Sequence, residues 1–292
     1  WIKNRDATDS HCLFDAVRGA TKVMNSDLGS TAETTDTDTL TAFGSDGFTV
    51  GADVKVNTNT EKYVAWCWKE SATSGFDIVN YSGNQVARTI SHSLSAVPHL
   101  LIVRSIEAAR NWAVYHHKNT AAPETDYLVL DNNAATIDNV DYWNDTAPTS
   151  SVFTIGTDPQ TNWADPSAET YRSYLFTGKQ GFSKFGTYEG NGNANGPFVF
   201  TDFRPAFIMC KTIDSTGGWY MFDDQRAGYN VDNDTILADT EAGDEGTDKI
   251  DILSNGFKLR HATDPNVAET YVYAAFAKAP LANSNGVPSN AR

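Results

Sequence analysis

The chain repeats one order of apolar strands and turns three times, at intervals of about 100 residues. Each copy contains an apolar run closed by a basic residue, a second apolar run, a run centred on phenylalanine, and a Glu-x-Tyr motif that opens an aromatic strand. The basic residues are Lys3, Arg104 and Lys211, the phenylalanines are Phe48, Phe153 and Phe257, and the tyrosines are Tyr63, Tyr171 and Tyr271. The recurring residues are typical of strands and tight turns, so the repeat predicts a scaffold rather than a catalyst.

Strand patterns dominate the whole chain. Short runs rich in Val, Ile, Thr and aromatic residues alternate with Gly, Asn, Asp, Ser and Pro, and no stretch carries a sustained apolar stripe at helical spacing. We predict an all-β fold of tandem β-sandwich repeats, jelly-roll or concanavalin-like, with long polar loops. The predicted repeats are 1–74, 75–180 and 181–279, followed by an extended C-terminal arm at 280–292. The pattern leaves open whether the repeats are separate sandwiches or share strands.

The first and second copies each depart from the common pattern at one place. A glycine- and aromatic-rich strand and turn precedes the second and third copies, at 75–84 and 181–192, and the first copy lacks it. From this register we expect the chain to be the C-terminal part of a longer polypeptide. The second copy lacks the glycine turn before Phe153, which puts its hairpin in doubt.

Three long polar stretches occupy the same place in each copy, at 26–41, 132–150 and 232–247. Such stretches predict surface loops, and loops in equivalent positions share one face if the copies share a fold. These loops differ among the copies while the strands recur. Any recognition function is therefore predicted to lie in the loops.

The charge distribution excludes nucleic acid as a partner, and the lengths of the apolar runs exclude a membrane. Acidic residues outnumber basic residues by 37 to 22, a formal net charge of −15, and they are spread along the chain. Nucleic-acid binding needs clustered Lys and Arg, and no such cluster occurs in the sequence. No apolar run is long enough to cross a bilayer, so we predict no membrane insertion.

The cysteines do not form a disulfide framework. Cys12, Cys67 and Cys210 lie in strand-like runs, and none has a counterpart in the other copies. We predict buried, unpaired thiols, with a Cys12–Cys67 bridge as the alternative.

Acidic residues offer only weak candidates for catalysis or metal binding. The pairs Asp223 with Asp224 and Asp232 with Asp234 have the composition of a glycosidase site, but their spacing also suits a solvated turn. Asp232 and Asp234 also lie in an oxygen-rich loop of the kind that calcium prefers, without the EF-hand pattern. We predict no enzyme activity, no cofactor and no metal, with calcium at Asp232 and Asp234 as the weak candidate.

Aromatic residues in polar loops are the better candidates for ligand binding. Trp143, with its neighbours Tyr142 and Asn144, and Trp163 lie in or beside polar loops. A tryptophan there either folds back onto the core or presents an apolar plate to a sugar. These four residues are the predicted glycan contacts, and core packing is the alternative.

Several segments closely resemble one family of repeat-bearing proteins. The resemblance rests on Trp1-Ile2-Lys3-Asn4-Arg5, on Gly181-Phe182-Ser183-Lys184-Phe185-Gly186-Thr187-Tyr188, on Phe203-Arg204-Pro205-Ala206-Phe207 and on the closing Tyr271-Val272-Tyr273-Ala274-Ala275-Phe276-Ala277. The family is an uncharacterised domain common in marine and aquatic bacteriophages, where it occurs in virion and tail-fibre-like proteins. The resemblance covers essentially the whole chain and carries over no catalytic residue.

This resemblance implies a bacteriophage virion structural protein, synthesised in the host cytoplasm and located on the extracellular particle. We expect a tail fibre or spike component that displays loops for attachment to a host surface glycan. By analogy with fibres it would form a homotrimer and contact other virion proteins. The alternatives are a capsid decoration or fibre protein with a purely assembly role and, less favoured, a polysaccharide depolymerase.

Overall fold

The structure is a computed structural model of the chain, and it describes residues 1–226, 230, 234–279, 281–282 and 288–289. Within these residues the fold is antiparallel β-structure with two short helices, which confirms the all-β prediction. No helix in the described part of the chain is long and apolar enough to span a membrane.

The elements are given by segment, with the predicted repeats as the segment bounds. The first segment (1–74) contains β1 (Ile2–Asn4), β2 (Lys22–Val23), β3 (Thr34–Thr35), β4 (Leu40–Phe43), β5 (Phe48–Val50), α1 (Val54–Asn57) and β6 (Tyr63–Ala65). The second segment (75–180) contains β7 (Phe76–Ser82), β8 (Arg88–Ser91), β9 (Leu100–Ser105), β10 (Ala113–His116), β11 (Asp126–Val129), β12 (Ile137–Asp138), α2 (Val140–Trp143), β13 (Val152–Ile155) and β14 (Thr170–Phe176). The third segment (181–279) contains β15 (Ser183–Glu189), β16 (Phe198–Phe200), β17 (Pro205–Thr212), β18 (Tyr220–Asp223), β19 (Ile236–Leu237), β20 (Ile250–Leu253), β21 (Gly256–Leu259) and β22 (Thr270–Ala277).

Two further short strands, β23 (Leu281–Ala282) and β24 (Pro288–Ser289), pair with each other in the predicted C-terminal arm. The rest of that arm lies outside the described residues.

The larger sheets of the second and third segments share one strand order. The second sheet runs β12-β11-β10-β9-β14-β7, and the third runs β15-β22-β17-β18-β19. Read from the other edge the five strands of the third sheet have the same order, and β12 has no counterpart among its described residues. The register also agrees, because Tyr171 pairs with Ser105 and Tyr271 with Thr212. In the first segment β1 and β6 pair at the corresponding place, with Tyr63 opposite Asn4.

A smaller sheet accompanies each larger one. It consists of β13 with β8 in the second segment, β16-β21-β20 in the third, and β4 with β5 in the first. The second segment has no hairpin partner for β13 among the described residues, and the chain forms helix α2 shortly before that strand. The tight turn at Gly256 that joins β20 to β21 has no glycine counterpart before Phe153.

Four apolar clusters form the interior. Three lie within single segments, each containing residues of that segment's own strands. The fourth, which we call the central core, contains buried residues of all three segments, among them Trp66, Trp112 and Trp219. Burying such a side chain contributes about 1.5–3 kcal/mol, so the central core is a major reason for the segments to pack together.

The cysteine prediction is correct for two of the three residues. All three thiols are free, so the Cys12–Cys67 bridge is absent. Cys12 and Cys210 are buried, and burial raises the pKa of each thiol to about 12. Cys67 is exposed, because it follows β6 on an edge that no described strand covers.

Candidate functional site

The predicted aromatic site is largely core. Tyr142 and Trp143 lie in α2 and are buried, Trp143 with only 2% of its surface exposed. The Tyr142 ring stacks on Tyr127 with 3.5 Å between centroids, and Trp143 Nε1 donates to Asp126 O at 3.1 Å. Asn144 is exposed and ends the helix in the left-handed conformation. The Trp143 ring therefore has no face free for a sugar, and core packing is the role that the structure gives it.

Trp163 is half-buried and packs against the same apolar cluster. The Arg110 guanidinium lies 5.4 Å from the centre of its ring, and Trp163 Nε1 donates to Asp165 O at 2.7 Å. The structure therefore brings Trp143 and Trp163 to a common core and not to a common exposed surface.

The candidate acids have basic partners. The Asp223 carboxylate accepts from Arg226 Nε at 2.6 Å, and Asp224 lies 2.6 Å from Lys278 Nζ. The Asp234 carboxylate lies 3.3 Å from Arg5 Nη2, and Asp232 lies outside the described residues. Each described candidate carboxylate therefore serves as the anionic partner of a basic side chain.

One acidic cluster was missed by the sequence reasoning. Asp36 and Asp38 lie in the turn between β3 and β4 and Asp53 caps α1, and the three can place oxygens within 4.8 Å of one another. The Lys55 ammonium lies 3.1 Å from Asp53 and 3.8 Å from Asp36. This arrangement offers three oxygens to a cation, and Lys55 already supplies positive charge there.

Many repeated polar residues instead bond one segment to the next. A first ring of hydrogen bonds joins the end of the second apolar run in each segment to the last strand of a neighbour. The bonds are Asp15 Oδ2 with Tyr174 Oη at 2.8 Å, His116 Nε2 with Tyr273 O at 3.2 Å, and Asp223 Oδ2 with Trp66 Nε1 at 3.1 Å. They connect the first segment to the second, the second to the third and the third to the first.

The residue at the end of the second apolar run is an aspartate where the neighbouring segment offers a side-chain donor, and a histidine where it does not. Trp66 and Tyr174 supply N–H and O–H donors, and the residue opposite each is an aspartate. The corresponding residue of the third segment is Ala274, which has no donor, and there His116 donates to a backbone carbonyl instead. A buried carboxylate without a donor would be costly, which explains the exchange of aspartate for histidine.

A second ring closes in the opposite direction. In each segment a ring nitrogen at the start of the second apolar run bonds to a neighbour's carbonyl. The bonds are His11 Nε2 with Leu237 O at 3.0 Å, Trp112 Nε1 with Asn25 O at 2.8 Å, and Trp219 Nε1 with Val129 O at 2.8 Å.

Each first residue of that run is also fixed within its own segment by an aspartate that accepts its backbone N–H. These aspartates are Asp27 for His11 at 3.0 Å, Asp131 for Trp112 at 2.6 Å and Asp239 for Trp219 at 2.8 Å. Burial raises the pKa of all three carboxyl groups. An aspartate in or beside the long polar stretch occurs in all three copies, and this sequence pattern could have indicated that it fixes the second apolar run.

The long polar loops form a third ring. A backbone N–H of each loop donates to a carbonyl just beyond β1, β9 or β17 of a neighbouring segment. The bonds are Glu33 N to Ile106 O at 3.0 Å, Thr136 N to Ile213 O at 3.0 Å, and Asp244 N to Arg5 O at 2.7 Å. The described parts of the loops therefore hold segments together, a role that the sequence did not indicate.

The repeated basic residues are buried beside these loops. Lys3, Arg104 and Lys211 are almost fully buried, and their bonds go to backbone carbonyls. Burial lowers the pKa of Lys211 to about 8 and that of Arg104 to about 10. Arg104 bonds to the loop of the first segment and Lys211 to Asn133 O of the second, so these cations also join segments.

One side of the first segment is open. Phe48 is 39% exposed, whereas the corresponding Phe153 and Phe257 are 1% and 0% exposed. A cavity of about 760 Å³ extends around the free edge of β6, and it is lined by Phe43 and Phe48 and by residues of the central core. No described strand pairs with the outer edges of β5 and β6. This side, which we call the open edge, combines an apolar cavity with an unpaired strand edge and is the best candidate for a binding site.

The fold and the three rings define an all-β chain whose repeated polar residues bond its segments to one another. The chain belongs to a family described as a domain of unknown function (DUF7483), whose family model matches residues 1–280. No curated protein and no solved structure matches the chain.

Proposed function

We propose that the chain is a structural assembly protein made of three β-sandwich segments arranged around a pseudo-threefold axis. The observation that carries this proposal is that three independent sets of inter-segment hydrogen bonds each close into a ring. A row of tandem sandwiches would leave the first and last segments apart. Closure also explains why the central core contains residues of all three segments.

We further propose that this protein belongs to a bacteriophage virion, as part of a tail fibre or spike. The sequence resemblance supports this location. Of the roles considered, assembly alone is better supported than glycan attachment, because Trp143 is buried and the polar loops bond to neighbouring segments. A depolymerase is the least supported role, because Asp223 and Asp224 have basic partners.

The expected homotrimer stays a prediction, and the structure limits which surfaces could form it. The central core is already buried within one chain, so a trimer would have to form through outer surfaces. The exposed Phe198 and Phe200 on β16 are one such surface. Light scattering coupled to size-exclusion chromatography measures the number of chains, and Phe198→Ser is expected to reduce a trimer that uses this surface.

The virion location is tested by immunogold electron microscopy. Antibodies raised against the recombinant chain are applied to purified particles of the phage whose genome encodes it. Labelling at the tail tip or fibres is expected. Labelling of the capsid would favour the decoration alternative. The virion role would be refuted if the particles carried no label and mass spectrometry of the particles found no peptide of the chain.

Glycan attachment has a separate test. The chain and its Trp163→Ala variant are applied to an array of bacterial surface glycans, with Trp163 chosen because its ring is the accessible one of the two predicted tryptophans. An assembly protein is expected to bind no glycan. Binding that is lost in the variant would restore the attachment role.

A further inference from the structure

The open edge corresponds to a place that is filled in the other two segments. In the second segment β7 pairs with β14, and in the third β15 pairs with β22. The corresponding strand of the first segment, β6, pairs only with β1 among the described residues. By strand alternation the backbone groups of Tyr63, Ala65 and Cys67 point away from β1, toward the cavity.

We call β7 and β15 the filling strands, and a tyrosine of each covers the counterparts of Phe48 and Tyr63 in its own segment. Tyr81 stacks on Tyr171 at 5.3 Å and contacts Phe153 at 6.2 Å between ring centroids. In the third segment Tyr188 stacks on Tyr271 at 5.0 Å and contacts Phe257 at 5.9 Å. The matching pair in the first segment, Tyr63 and Phe48, has no tyrosine stacked on it among the described residues.

The turn after each filling strand is held by one asparagine. Asn84 N–H donates to Asn162 Oδ1 at 2.6 Å, and Asn191 N–H donates to Asn266 Oδ1 at 3.1 Å. Asn162 Nδ2 also donates to Gly156 O at 2.7 Å.

Asn57 is the counterpart of these asparagines in the first segment. Its Nδ2 donates to Gly51 O at 2.7 Å, as Asn162 does to Gly156. The residue after it, Thr58, donates its N–H to Tyr63 Oη at 2.7 Å, as Trp163 does to Tyr171. Asn57 is exposed, and no bond to its Oδ1 occurs within the described part of the chain.

A glycine after each filling strand allows its backbone to approach the backbone of the residue that follows the turn asparagine. A Cβ atom on Gly83 would lie 2.2 Å from Trp163 O, and one on Gly190 would lie 1.9 Å from Val267 O. Any side chain at this position would therefore push the strand away. The two filling strands and their turns share the sequence Tyr-x-Gly-Asn. The tyrosine stacks on its partner ring, the glycine allows the close approach, and the asparagine N–H donates to the turn asparagine.

We propose that the open edge binds an extended polypeptide segment that carries Tyr-x-Gly-Asn and adds to β6 as an antiparallel strand. Its tyrosine covers Phe48 and Tyr63, its glycine passes close to Thr58, and its asparagine N–H bonds to Asn57 Oδ1. Main-chain bonds to a strand edge supply affinity and the side-chain positions supply specificity. This assignment does not depend on a virion location.

The first test uses a synthetic peptide with the sequence of residues 75–91, titrated into the whole chain. Saturable binding is expected, with slowed hydrogen exchange at the amides of Tyr63 and Ala65. Peptides carrying Gly83→Ala or Tyr81→Ala are expected to bind at least tenfold more weakly. In the chain, Phe48→Ser is expected to weaken binding by a similar factor, whereas the control Ile137→Ser, at a similarly exposed apolar residue of another segment, leaves it unchanged.

The second test attaches the segment covalently, so that its effective concentration at the open edge is high even if the free peptide binds weakly. The sequence of residues 75–101 is placed directly before Trp1, which is the position that it occupies before Ile102 in the second segment. The fused segment is expected to protect the β6 amides and raise the thermal midpoint, and the same fusion with Gly83→Ala is expected to do neither.

Three outcomes would overturn the proposal. The first is that neither the peptide nor the fusion protects β6. The second is that the Gly83→Ala forms bind as well as the parent sequence. The third is that another occupant takes the site, either a second copy of the chain in a dimer abolished by Phe48→Ser, or a small apolar ligand that binds where the peptides do not.

Discussion

Acidification is expected to destabilise the contacts between segments through two buried histidines. His11 Nδ1 accepts the Trp1 indole N–H at 2.8 Å, and His116 Nδ1 accepts the Lys118 backbone N–H at 3.2 Å. Each Nε2 must then carry the proton that bonds to a carbonyl of another segment. Protonation would place a hydrogen on an Nδ1 that already faces a donor, and it would bury a charge.

The magnitude follows from the shift of the two pKa values. Burial is the largest cause that lowers the pKa of both rings from 6.5 to about 3, with Lys3 adding to the effect at His11 and His117 at His116. Because the folded pKa is the lower one, the unfolded chain takes up these protons first, and stability falls as the pH decreases from about 6.5 toward 3. At pH 5 each ring costs about 2 kcal/mol relative to pH 8, or about 4 kcal/mol for both.

Equilibrium denaturation in urea at pH 8 and pH 5 measures this difference. The double variant with His11→Gln and His116→Gln keeps side-chain donors but cannot titrate, so it is expected to lose about 4 kcal/mol less than the parent between these pH values. The control His261→Gln, whose ring bonds to Thr263 in an exposed turn, is expected to retain the parent's pH dependence. Equal pH dependence in the parent and the double variant would refute the reasoning.

Three further outcomes are expected. Trp143→Ala should lower the free energy of unfolding by about 3–5 kcal/mol, because it empties a buried site, and calorimetry would show an unchanged melting temperature if the ring were a surface plate. Asp223→Ala leaves the buried Arg226 Nε and Trp66 Nε1 without their acceptor, with Asp244 as the remaining carboxylate on Arg226, and should cost about 3–5 kcal/mol in urea denaturation. The control Asp251→Ala, at a more exposed ion pair, should cost about 1 kcal/mol or less. Native protein treated with a thiol reagent should be modified at Cys67 alone, and rapid labelling of the two buried thiols would contradict their placement.

Local sequence patterns determined the strands and turns of this protein. Alternating and continuous apolar runs predicted the strands, and the absence of a glycine turn before Phe153 marks the place where β13 has no hairpin partner among the described residues. Among the described residues β6 pairs only with β1, at the edge where the other two segments have a strand and turn that carry Tyr-x-Gly-Asn. These features follow from residues close together in the sequence, because backbone propensity and side-chain period act over a few residues.

Tertiary structure decided which polar and aromatic residues face one another. Asp15 meets Tyr174, 159 residues away, and nothing in either local pattern predicts that contact. Trp143 has a loop-like sequence neighbourhood and is nevertheless buried, because α2 folds over an apolar cluster assembled from distant strands. The sequence by itself determined three related sets of strands. Only their packing around a common core decided that the repeated acids, bases and loops bond segment to segment, since burial and hydrogen-bond partners depend on neighbours that the local sequence does not specify.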